Sequence, residues 1–173
     1  TGIELYGESI GSIAGNNENM DWYLGDTLSA VIGQSYNSYT PIQLANYIST
    51  LANGGTLNKV SVLKEITTSE YENISEQEVV NYIQEITGYK FISTKLELNK
   101  KHVDAIVEGM KSVTSEQGGT SYIVFKNSDI EVAGKTGTAQ VASGTPNGIF
   151  VGFAPIENPQ IAVVAIVEHG DSG

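Results

Sequence analysis

The run Gly134-Lys135-Thr136-Gly137-Thr138-Ala139-Gln140 places a cation, two hydroxyls and two glycines inside a segment whose surroundings read as a β-strand. A glycine in a strand interior costs about 0.5–1 kcal/mol, so two of them indicate that something must approach this backbone closely. Strand alternation sends Lys135 and Gly137 to one face and Thr136 and Thr138 to the other. If the strand lies at a sheet edge, its unpaired N–H groups point outward at a ligand oxygen. The chemistry that these residue types support is the binding of a carboxylate or an oxyanion on a bare ledge. The bland alternative is a glycine-containing strand with a solvent-facing lysine, and the tripeptide Lys-Thr-Gly alone does not decide between them.

No other cluster competes. His102 falls in the first turn of a predicted helix and His169 near the last residues, neither with a carboxylate or second histidine at ligand spacing, so both read as surface histidines and no metal is implied. No cofactor is expected. Trp22 and the 9 tyrosines read as packing residues rather than a stacking platform.

The elements that must position the ledge can be read from caps and periodicity. Thr40-Pro41-Ile42-Gln43 offers an N-cap hydroxyl, a proline at the first helical position and a glutamine to reach back to the cap, and Asn53-Gly54-Gly55 ends the segment. Leu44, Ala45, Ile48, Leu51 and Ala52 recur at helical spacing between them. A loose alternation from Thr56 to Ile66 predicts a half-exposed strand. Ser75-Glu76-Gln77-Glu78 is a second capping box, opening an acidic helix that Gly88 stops, and Asn99 caps a third helix through Val113, with Gly118-Gly119 closing it. Strands are predicted over Ile130–Val141, Gly148–Ala154 and Gln160–Glu168, and their short, turn-rich connections imply an antiparallel meander. Ile161 to Val167 is apolar throughout, which predicts burial on both faces. Thr1 to Ser38 is glycine-rich and reads as loops without a long element. The expected fold class is α+β, one antiparallel sheet formed mainly by the C-terminal third with helices packed on it.

Composition narrows the function. The chain has 173 residues, 20 acidic against 9 basic, a net charge of −11, and all its basic residues are lysines. Without arginine and with this charge, nucleic-acid binding is excluded. With no cysteine there is no disulfide, thiolate site or cysteine nucleophile. No stretch reaches the 18 or so apolar residues of a membrane span. A chain without an initiating methionine that stops at Asp171-Ser172-Gly173 is expected to be a single partial domain over residues 1–173, cut from something larger.

Lys135-Thr136-Gly137 is the third of three motifs that mark active-site serine enzymes acting on D-alanyl peptides and β-lactams, the others being S-x-x-K and S-x-N. The chain resembles the transpeptidase domain of class B penicillin-binding proteins over nearly its whole length. Gly25-Asp26-Thr27, Ile32-Gly33-Gln34, Tyr39 to Ala45 and Leu51 to Gly55 are similar to the stretch between that family's second and third motifs. Gly134 to Gln140, Phe150 to Pro155 and Val163 to Glu168 are similar to its sheet strands, and Thr1 to Leu5 with Glu8 to the segment just upstream. Residues 65–95 fall outside the likeness and read as a variable insertion with a solvated acidic helix.

The resemblance implies the C-terminal part of a penicillin-binding, serine β-lactamase-like transpeptidase fold. It implies acyl transfer in the parent protein: a serine attacks the penultimate D-alanine carbonyl of a peptidoglycan stem peptide, D-alanine leaves, and an amine of a neighbouring stem takes the acyl group. Lys135 would steady the second-motif serine and supply positive potential, Thr136 and Thr138 would bind the substrate carboxylate, Gly137 would keep the ledge bare, and the Thr138 N–H would be an oxyanion-hole donor. Peptidoglycan stem peptides and β-lactams are the implied partners, alongside elongation or division proteins whose identity the sequence does not carry. The implied location is outside the cytoplasmic membrane, the parent being held by an N-terminal helix.

Two patterns in this chain imitate the missing motifs. Ser61-Val62-Leu63-Lys64 and Ser35-Tyr36-Asn37 stand in reversed order relative to the family, and Ser61 falls in the predicted strand, where Lys64 would lie on the opposite face. No nucleophile is expected here, and the chain by itself is expected to be inert. The family's usual helix after the last strand is also missing, which predicts an uncovered sheet face and a dimer through it. A serine β-lactamase, a DD-carboxypeptidase and a non-catalytic sensor domain remain as alternatives.

Overall fold

In the computed structural model, which describes residues 1–3, 5–15, 21–62, 75–87, 93–141 and 143–173, the chain runs α1 (Leu24–Val31), α2 (Pro41–Ala52), β1 (Thr56–Asn58), α3 (Glu76–Thr87), β2 (Ser93–Lys95), α4 (Lys100–Ser115), α5 (Tyr122–Phe125), β3 (Ala133–Ala139), β4 (Asn147–Ala154) and β5 (Ile161–Val167). Among the described residues no helix is long and apolar enough to cross a membrane.

Helix α2 starts where its caps put it. The Gln43 N–H donates to Thr40 Oγ1 at 3.3 Å and the Thr40 N–H donates to Gln43 Oε1 at 2.8 Å, satisfying two orphan donors reciprocally. Gln43 Nε2 also donates to the Ile10 carbonyl at 2.9 Å, tying the N-terminal segment to the helix. The end is a left-handed Gly54 at φ 73°. Helix α4 is capped by Asn99, whose side chain accepts the Lys101 N–H at 3.0 Å.

Strands β3, β4 and β5 form an antiparallel meander in that order, with Lys135 opposite Val151, Thr136 opposite Phe150 and Phe150 opposite Ala165. Ala133 and Phe153 are directly paired and share a face, and against them pack Ile48 and Leu51 of α2 and Met110 of α4 to make the buried core. Each of the four larger side chains contributes about 1.5–3 kcal/mol of burial. On the opposite face the cross-strand pair Gly134 and Gly152 is roofed by the Phe150 ring: a Cβ added at Gly134 would lie 2.5 Å from Phe150 Cζ. The ring in turn stacks on Phe125 of α5 at 5.6 Å between centroids. The glycines therefore give up side chains so that one aromatic ring can lie flat on the strand that carries the ledge.

The structure departs from the sequence-based expectations at several places. Residues before Ser38 include helix α1, started by Asp26 Oδ2 accepting the Tyr23 N–H at 3.0 Å, although it buries none of its residues. The strand expected over Thr56 to Ile66 is only Thr56–Asn58, paired with β2 over those three residues; positions 63–66 of that expectation lie outside the described residues. The strand expected from Ile130 begins at Ala133, since Val132 gives its carbonyl to the Thr114 hydroxyl at 2.5 Å instead of to a ladder. Strand β5 is not buried on both faces. Ile161, Val163 and Val167 are 59, 44 and 61 % exposed, while Ala162, Val164 and Ile166 face α2 and are half-buried. Helix α3 lies where the second capping box puts it, and its expected stop Gly88 is outside the described residues.

Candidate functional site

Among the described residues β3 is an edge strand, paired with β4 on one side only. Its start is held to α4 twice. The Thr114 hydroxyl bonds the Val132 carbonyl, and Lys111 Nζ pairs with Glu131 at 3.1 Å, a contact that raises the Lys111 pKa above the ordinary lysine value. Both partners of that ion pair are well exposed, so it adds little stability; the buried hydroxyl is the firmer tie.

The four candidate ledge residues, Lys135, Thr136, Gly137 and Thr138, fall on this strand. Lys135 is exposed, and its Nζ donates to the Thr136 carbonyl at 2.6 Å. It stands at the wall of a cavity of about 420 Å³ lined otherwise by Tyr47, Leu51, Ile106, Met110 and Val151. A cation beside an apolar recess is the arrangement that orients an amphiphilic anion. Thr136 is half-buried and its hydroxyl lies 2.9 Å from the Thr120 hydroxyl. Gly137 is half-buried, and the chain's last residues, Ser172 and Gly173, cross beside Gly137, Gly148 and Ile149. Thr138 is exposed.

Thr120 escaped the sequence reading, which used Gly118-Gly119 only as a helix stop. The signal that points to it is a hydroxyl residue next to two glycines at the end of a helix leading into the ledge strand.

The imitating motifs are elsewhere. Ser35 takes a left-handed φ of 62° and its hydroxyl donates to Asp26 Oδ1 at 3.2 Å. Asn37 spends its amide on structure: Nδ2 donates to the Gln34 carbonyl at 2.9 Å, and Oδ1 accepts from the Ala14 N–H at 2.9 Å and from the Tyr39 hydroxyl at 2.6 Å. Ser61 is not in a strand, contrary to expectation, so the opposite-face argument against it does not apply; Lys64 lies outside the described residues. His102 is exposed on α4, and the His169 ring contacts the Thr145 carbonyl at 3.0 Å while the His169 backbone N–H donates to Asn147 Oδ1 at 2.9 Å, so it locks a turn. Among the described residues no three His, Asp or Glu side chains gather as a metal site would need.

Residues 1–173 match the family described as the penicillin binding protein transpeptidase domain. The peptidoglycan D,D-transpeptidase MrdA of Haemophilus influenzae is 30 % identical over 193 residues, covering all of this chain and 28 % of that protein. The crystal structure of Pseudomonas aeruginosa PBP2 in complex with WCK 5153 superposes with a TM-score of 0.74 at 34 % identity, over 98 % of this chain and 36 % of that one. A complex between PBP2 and MreC from Helicobacter pylori gives 0.73 at 29 % identity, over 99 % and 29 % of the two chains. The chain thus spans about a third or less of the length of these relatives.

Proposed function

The chain belongs to the penicillin-binding protein transpeptidase domain family, and on that premise we propose that it is the part of a peptidoglycan D,D-transpeptidase that supplies the substrate-binding ledge. The reaction is acyl transfer through a serine ester, with the serine and its lysine base contributed from outside these residues. Lys135 supplies positive potential and a donor to the second-motif serine. Thr136 and Thr138 hydroxyls take the terminal carboxylate of a stem peptide or β-lactam, and Gly137 keeps the surface open. The Thr138 N–H is an oxyanion donor, an interaction of a kind worth roughly 2.7–4 kcal/mol in the transition state.

One observation carries this reading: Lys135, Thr136 and Thr138 stand on an edge strand, Lys135 at the wall of a recess, and none is sealed under packed side chains. The Lys135–Thr136 contact supports the direction of the N–H groups. A carbonyl reached by an ammonium points away from β4, and in an antiparallel ladder Thr138, two residues on, points the same way.

The surface supports a larger parent domain. Bare apolar faces on α1 and β5 are where the remainder of the domain packs, and in isolation the β5 face pairs two copies of the chain. Residues 65–95 are a family-variable insertion, leaving after β1 and returning through β2, which pairs with it. The parent works outside the cytoplasmic membrane, held there by an N-terminal helix, among partners of the kind the MreC complex exemplifies for its relative.

The test is covalent labelling by fluorescent penicillin. The 173-residue chain stays unlabelled, and Lys135→Ala in the full-length protein slows acylation about 10²-fold. Labelling of the isolated chain at Ser61, or an unchanged rate in the alanine variant, removes the reading.

A further inference from the structure

Thr120 lies 16 residues before Thr136 in the sequence, yet their hydroxyl oxygens are 2.9 Å apart. Thr120 is exposed, and an exposed side-chain hydrogen bond persists only where the backbone on both sides is fixed. Here it is. Gly118 takes a left-handed φ of 106°, and Gly119 packs its bare Cα against the end of α4, where a Cβ would lie 2.5 Å from the Ser112 carbonyl oxygen and closer still to that of Val113. The Ser121 N–H then donates to the Val113 carbonyl at 3.0 Å, and Ser121 is 6 % exposed. Thr120 is thereby held between two pinned residues, facing the open side of β3.

We propose that Thr120 is a positioning residue that sets the direction of the Thr136 hydroxyl for an anionic ligand; the inference rests on the reading of β3 as a carboxylate-binding ledge. In the empty site either threonine can donate to the other. A carboxylate only accepts, so once it is bound Thr136 must donate outward. Its oxygen is then free to accept, and Thr120 is the donor already in place. The chain Thr120 O–H to Thr136 Oγ1, Thr136 O–H to carboxylate runs in one sense, and each bond polarises the next. Without Thr120 the Thr136 hydroxyl loses its fixed rotamer and the partner that makes it a better donor.

The experiment measures acylation of the full-length protein by a β-lactam with a free carboxylate and by its methyl ester. Thr120→Val slows the free acid about tenfold and leaves the methyl ester at the wild-type rate, while Thr120→Ser keeps the wild-type rate for both. Thr136→Val shows the same selective loss, and adding Thr120→Val to it costs nothing more, since the two act as one unit. Thr120→Ala provides the same comparison should the valine variant not fold. Equal slowing of both substrates, failure of the serine variant to retain the rate, or additive losses in the double variant would overturn the proposal. If Lys135→Ala is also without effect, the ledge reading itself falls. If Lys135→Ala slows acylation while Thr120→Val does not, only the role of Thr120 is lost.

Discussion

Gly119→Ala is the substitution whose cost can be worked most directly from the coordinates. A methyl group there meets the carbonyl oxygens of Ser112 and Val113, both backbone atoms at the end of α4 that cannot rotate away as a side chain would. The 118–121 turn must lift off the helix instead. Lifting breaks the 3.0 Å bond from the Ser121 N–H to Val113, and with Ser121 only 6 % exposed no water replaces the acceptor. An unsatisfied buried donor costs about 1–3 kcal/mol and forced repacking about 1–3 kcal/mol more, so we expect a loss of roughly 2–6 kcal/mol. At about 2–4 °C per kcal/mol for a chain of this size, the melting temperature falls by about 4–24 °C. The assay is urea and thermal unfolding followed by far-ultraviolet circular dichroism. Gly109→Ala is the control: it lies within α4 with nothing within 4 Å of the added methyl, and gains about 0.5–1 kcal/mol from helix propensity. A Gly119→Ala protein within about 0.5 kcal/mol of wild type would show that the turn is not pinned to α4, and the placement of Thr120 would lose its foundation.

Thr40→Ala removes the hydroxyl half of the α2 capping box and keeps the backbone N–H that Gln43 accepts, for an expected loss of about 1 kcal/mol by the same unfolding assay; a neutral result would mean that the hydroxyl contributes nothing to holding the helix start. Glu78 has its pKa lowered, first by the Ser75 hydroxyl donating at 2.7 Å and then by the Ser75 N–H at 2.9 Å. Because its folded value is depressed, the stabilisation of the α3 start is full above the ordinary glutamate range and fades as pH falls through the lowered value. Nuclear magnetic resonance titration of Ser75→Ala should show the Glu78 value moving back towards the ordinary one, and an unmoved value would refute the cap.

What was legible in the sequence was local. The caps of α2 and α4, the turn residues between the last three strands and the glycines of the ledge each act within a few positions, so their residue types suffice to locate them. What was not legible depends on partners far along the chain. Helix α1 hides because Gly25 interrupts a short segment whose apolar Leu24, Leu28 and Val31 bury against nothing described here. Strand β1 is three residues long although Val60 and Val62 continue its alternation, and no residue near Val60 records where the pairing stops. An all-apolar β5 reads as doubly buried, yet composition reports what a face can bear and not what lies on it. The pairing of Thr120 with Thr136 is likewise tertiary, and the adjacent glycines drew the reading towards helix termination.

An edge strand is ordinarily a hazard, since its unpaired N–H and C=O groups invite another strand to pair. Strand β3 meets that hazard with the features that also suit it to bind an anion. Lys135 puts a charge on the edge and covers the Thr136 carbonyl, removing one acceptor that a foreign strand would use. The Thr120 turn stands beside the middle of the strand, and α4 grips its start through Thr114. Rigidity comes from the face that Thr136 occupies, where Phe150 lies over Gly134 and Gly152 and is itself backed by Phe125. A side chain at either glycine would displace that ring, so the bare strand and its aromatic support are one device. The outward N–H groups it leaves are fixed before any ligand arrives, which is the condition under which a backbone donor stabilises developing negative charge without reorganising.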